Sequence, residues 1–188
     1  LLLFTGALVG AATLAMLHAQ AGGVALGVVL LALLAWLAQH DIARRTVRTT
    51  GLTRFSAAGI LAGYVWLAIA AVLLVRHGVV RQGEAYDALL HATFLGFAMS
   101  MVFAHAPIIV PAVIARPLPY HPAMWLPPAL LHAGLLVRLG LGDALGLRGP
   151  WQVGAVLNVL AILAFLVVTV WRVATAKKPR SAGNEGSR

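Results

Sequence analysis

The stretch Tyr86 to Val113, YDALLHATFLGFAMSMVFAHAPIIVPAV, is long enough to cross a membrane and from Ala88 onward carries no formal charge. It nevertheless holds two histidines, His91 and His105. In lipid only helices and closed barrels satisfy their own backbone, and a continuous apolar run of this kind is a helix. On a regular helix, residues 14 apart lie nearly four full turns apart, so both imidazoles are expected on one face, roughly 21 Å apart along the axis. That is a large part of a hydrocarbon core about 30 Å thick. Ionisable residues inside a membrane are functional candidates by default. The simplest chemistry for a neutral imidazole in a dry bundle is to bind a metal or a haem iron.

The rest of the chain has the same character. It is 61% hydrophobic and only 10% charged, with a mean hydropathy of +0.92, whereas a soluble domain is about one quarter charged. Six apolar runs appear, at about Leu1–Ala19, Gly23–Ala38, Phe55–Val75, Ala88–Ile114, Ala123–Gly142 and Trp151–Val173. The expected fold is all-α: a polytopic bundle of six transmembrane helices over residues 1–176. A polar and disordered cytoplasmic tail, residues 177–188, follows. With the loop after the second helix placed in the cytoplasm, that side holds Arg44, Arg45, Arg48, Arg54, Arg116, Arg172, Lys177, Lys178, Arg180 and Arg188. The other side holds Arg76, Arg81, Arg138 and Arg148. The imbalance favours both termini inside. The +9 net charge is thus read as orientation in a lipid bilayer, not as nucleic-acid binding.

Cysteine is absent, which removes disulfides, thiolate metal sites, iron–sulfur clusters and covalent haem attachment. No carboxylate sits mid-run, and neither a phosphate-binding loop nor a zinc-protease helix occurs. The pairs Gly6/Gly10, Gly23/Gly27 and Gly59/Gly63 read as faces for close helix contact. The five tryptophans read as interfacial anchors. Asp87 reads as an N-cap and Ser100 as bonding its own i−4 carbonyl. Pro107 and Pro111 are expected to kink the inner end of their helix. His121 and His132 would share a face if the fifth helix were regular, but Pro127 and Pro128 intervene. His18 and His77 could each face His91 from the outer side, and His40 reads as solvated. Arg138 needs a partner, and Asp87, Asp143 or a haem propionate would serve.

The segments LHATFLGFAMSMVFAHAPIIVPAV and LLHAGLLVRLG, with VLNVLAILAFL after them, resemble the NnrS family of bacterial inner-membrane proteins. That family is described as binding haem and copper and is linked to nitric-oxide metabolism. The resemblance covers the last three helices, about half the chain. It implies b-type haem or a metal on His91, His105 and His132, with Arg138 and Asn158 as supporting polar groups; His121, on the adjacent antiparallel helix, is an alternative axial partner for His105. It also implies a place beside respiratory or denitrification membrane proteins. Two departures stand out. Family members are usually longer, and no adjacent His-His pair for copper occurs here, which argues against copper. Two other classes stay open: a small-molecule or anion channel or transporter lined by Arg138 and the histidines, and a cofactor-free structural or assembly subunit.

Overall fold

The computed structural model describes residues 2–176; the tail at 177–188 lies outside the described residues. Helix α1 (Leu2–Leu17) and α2 (Ala19–His40) are joined at His18 alone, and a short α3 (Ala43–Thr46) leads into α4 (Gly51–His77). Then come α5 (Glu84–Ile114), α6 (Pro122–Asp143) and α7 (Arg148–Thr175). No strand occurs among the described residues. Helices α2, α4, α5, α6 and α7 are each long and apolar enough to cross a membrane, while α1 is apolar but shorter. Large apolar side chains such as Leu3, Val9, Val102, Leu136, Leu163 and Val167 face outward. That is the inversion expected when the solvent is hydrocarbon. A multi-pass membrane bundle accounts for both facts.

Packing runs in sequence order: α1 on α2, α2 on α4, α4 on α5, α5 on α6 and α6 on α7. The central apolar cluster draws Trp66 and Ala70 from α4, Ala88, Ala92 and Phe103 from α5, Leu131, Leu135 and Leu139 from α6, and Ala161 from α7. The hairpin α1–α2 contributes nothing to it. It is held by close approach instead. A Cβ on Gly22 would sit 2.0 Å from the Ala15 backbone nitrogen, so only glycine allows that crossing. Gly27 packs closely on Ala71, and Gly59 and Gly63 on α5, as their spacing predicts. Gly6 and Gly10 differ: both face open space.

Two helices are not regular. Helix α5 is α-helical over Glu84–Leu90, a π-helix over His91–Ala98, and α-helical again over Met99–Ile114. Helix α6 opens with a 3-10 turn, Pro122–Trp125, continues as α-helix over Leu126–Leu135, and ends as a π-helix over Leu136–Asp143. A π turn holds more residues than an α turn, so each residue advances the chain by less than 100°. Side chains beyond such a segment therefore lag behind where a regular helix would put them. Helix α5 runs through Pro107 and Pro111 to Ile114, and Ser100 donates to the Gly96 carbonyl four residues back.

Candidate functional site

The two π segments flank one cluster of charges. His91 opens the first and Asp143 closes the second. Between them Arg138, itself inside the α6 π segment and buried, forks onto Asp87 of α5. Its Nη2 donates to Asp87 Oδ2 at 2.9 Å and Oδ1 at 3.1 Å, and its Nε donates to Oδ2 at 3.2 Å. This is the planar two-pronged geometry that arginine alone offers a carboxylate. The other face of the guanidinium lies 4.1 Å from the centre of the Trp151 ring, a cation–π contact from α7. Gly154 makes room for it: a Cβ there would stand 2.6 Å from Arg138 Cβ. The arginine is thus held by α5, α6 and α7 together.

Asp87 does not cap its helix. Helix α5 begins three residues earlier, at Glu84, which leaves the carboxylate free for Arg138. The same residue also meets His91. His91 Nδ1 donates to the Asp87 carbonyl oxygen at 2.8 Å and lies 3.3 Å from Oδ1. Asp143 completes the group, beside Asp87, Arg138 and His91. It is 7% exposed, and its Oδ2 has no hydrogen-bond partner among the described residues. A buried carboxylate oxygen without a donor is costly and marks a place where a proton or ligand belongs. It borders an open cleft of about 420 Å³ lined also by Gly83, Glu84, Asp87, Arg148 and Trp151.

The histidines separate from one another. His91 belongs to the charged cluster and is half-buried, whereas His105 is exposed and its Nδ1 donates to its own Met101 carbonyl at 2.8 Å. The expected common buried face fails because the π segment lies between them. His121 stands before the 3-10 turn rather than in the helix, where its Nδ1 accepts from the Ala123 N–H at 3.1 Å. His132 Nδ1 accepts from the Trp66 indole N–H at 2.9 Å. An indole nitrogen can only donate. His132 and His121, both neutral, therefore carry their proton on Nε2 and have no lone pair there for a metal. A haem held between His105 and either of them does not fit this arrangement. His91, His105 and the solvated His40 carry the opposite tautomer, each with Nδ1 turned to an i−4 carbonyl. No group of three or more His, Asp or Glu side chains suited to a metal ion occurs among the described residues. Asn158 is buried against Gly134, with both side-chain polar atoms unpartnered among the described residues. His18 and His77 are exposed and do not meet His91.

Two members of the site escape a reading by type and spacing, Trp151 and, behind His132, Trp66; Asp143 is a candidate partner for Arg138 by type, but its place inside the helix is not readable. Trp66 is buried rather than interfacial. Arg138 and Asp143 are five residues apart, which is off-face on an α-helix but close to one turn on a π-helix.

A family model described as a domain of unknown function (DUF8744) matches residues 1–174. No curated protein and no solved structure matches the chain.

Proposed function

The chain belongs to the DUF8744 family, and we propose that it is a proton-loading membrane carrier whose site is the Asp87–Arg138–His91–Asp143 cluster. One observation carries the reading. Asp143 is more than nine-tenths buried, has a free oxygen, and borders a cleft, while its neighbour Asp87 is already committed to Arg138. Asp–His groups of this kind inside membrane helices serve proton relays, and their charges are kept only at a cost. Toward the middle of the bundle stands the packed cluster that includes Leu131, Leu135 and Leu139. A loaded site therefore cannot empty straight through. Passage requires α5 and α6 to rearrange, and their π segments, which often mark functional sites, are where the helices are irregular. The proposal includes six spans, both termini on the side of Arg44, Arg45 and Arg48, and a bacterial inner membrane. Infrared difference spectra of the purified protein between acidic and alkaline buffer test it. A carboxyl band should vanish in Asp143→Asn and persist in Glu84→Gln. A band unchanged in Asp143→Asn sinks the reading.

A second reading keeps haem, on the observation that His91 turns Nδ1–H to the Asp87 carbonyl and leaves its Nε2 lone pair free. That is how ligating histidines are usually oriented. His91 would hold the group, which when bound supplies redox and gas-binding chemistry. This reading brings with it respiratory or denitrification partners. A Soret band in the protein isolated from haem-supplied cells, lost in His91→Gln, would support it. A colourless parent would end it.

A further inference from the structure

A second cavity, of about 290 Å³, lies in the other half of α6. It is bounded by Phe55 and Gly59 of α4, Ser100 and Phe103 of α5, and Trp125 and His132 of α6. It is almost wholly apolar, and it reaches the bundle surface at Ala129, which is exposed. Its polar side chains are Ser100 and His132. Ser100 spends its proton on the Gly96 carbonyl. His132 has a fixed tautomer, because the Trp66 N–H occupies Nδ1. Its Nε2 therefore bears the proton, and no described residue accepts from it. The Trp125 indole N–H donates to the Tyr120 hydroxyl, so His132 brings the one donor of this aromatic and aliphatic wall that has no partner among the described residues. A membrane interior supplies no water to satisfy that donor.

We propose that this cavity binds a quinone-class compound: a planar apolar ring whose carbonyl oxygen accepts from His132 Nε2–H. Four observations select the class. A lone fixed donor asks for an acceptor and repels a cation. Phe55, Phe103 and Trp125 offer faces and edges for a ring. The volume sits at the lower end of small-molecule sites, about 300 Å³, so one ring fills it. Depth selects as well. His132 lies halfway along a helix that runs from Pro122 to Asp143, about 15 Å of helical rise from either end. Ester carbonyls of phospholipids stay at the interface, whereas a free carbonyl compound dissolved in the bilayer reaches this depth and can enter sideways past Ala129. The indole behind His132 sets which nitrogen is the donor and so sets what the cavity accepts.

The test uses the whole protein in detergent with decylubiquinone as the probe. Infrared difference spectra should show a ring carbonyl stretch lowered relative to the free quinone, and tryptophan quenching should saturate. His132→Phe should abolish the lowered stretch and weaken binding by about tenfold, the worth of a hydrogen bond in an apolar wall. Trp66→Phe leaves His132 in place but frees its tautomer, and should weaken binding less while restoring a mixed carbonyl band. His105→Gln should change neither signal. No saturable binding in the parent would overturn the proposal. So would equal affinity in His132→Phe and in Trp66→Phe, or equal affinity for decylbenzene, which has no carbonyl.

Discussion

The α1–α2 hairpin and the α5–α6 pair are both apolar helix pairs, yet they are held by opposite means. The hairpin has a single-residue joint, a glycine pressed on a backbone and no charged side chain at its contact. The α5–α6 pair has two irregular helices, a forked ion pair and a carboxylate with one unpartnered oxygen. Contact by small residues gives attraction at short range and asks nothing of protonation. A buried charge cluster gives little net stability against an apolar alternative and makes the state of one proton matter to the packing. The difference teaches where the molecule spends stability on something other than holding together.

The largest effect should come from unlocking the charged pair. Arg138→Leu leaves the half-buried Asp87 without its counter-ion and should cost about 3 kcal/mol, the lower end for a broken buried pair. Arg138→Lys should cost less, because it keeps the charge but loses the fork. Unfolding of the reconstituted protein by denaturing detergent measures both. A wild-type midpoint in Arg138→Leu would show that the pair adds no net stability. Next comes Gly22→Leu, which pushes a side chain into the Ala15 backbone and should cost about 1–3 kcal/mol by overpacking. It should leave the Asp143 carboxyl band in place, and a lost band would mean that the two regions are coupled after all. The smallest effect belongs to His105→Gln, an exposed position with only a local bond, where the change should stay within about 0.5 kcal/mol. A larger loss would move His105 from the surface into the working part of the molecule.

How much of this was legible in the sequence depends on which physics decided it. The helices follow from hydropathy, since apolar runs near span length leave lipid-exposed backbone no other choice. Short connections then make neighbours of consecutive helices, and Gly23, Gly27, Gly59 and Gly63 fall where their spacing puts them. Arg138 announces itself as a charge inside an apolar run, and Asp87 was one of few acids available to it. What stayed hidden was phase. Nothing in the residues His91–Ala98 or Leu136–Asp143 announces a π segment, and each segment turns the following side chains off the regular face. His91 and His105 therefore part company, and Asp143, which reads as a loop acid, belongs to the helix end and faces the site. Trp66 was hidden differently. A tryptophan in a membrane protein reads as an anchor until its hydrogen-bond partner on another helix is known.

A stiff turn follows α5. Ala115 adopts the left-handed conformation, with φ 51°, where a side chain costs about 1–2 kcal/mol and glycine costs almost nothing. Pro117, Pro119 and Pro122 follow within a few residues. Each proline fixes its own φ and steers the residue before it toward extended backbone. Before folding, this segment therefore explores far fewer shapes than a glycine-rich connection of the same length. Alanine in place of glycine narrows that search once more, and what it loses in native strain it regains in part by restricting the disordered chain. The handover from α5 to α6 is thus directed largely before the helices meet. His121 and the α6 N-terminus are delivered by a stiff strap whose main economy lies in the state that no structure shows.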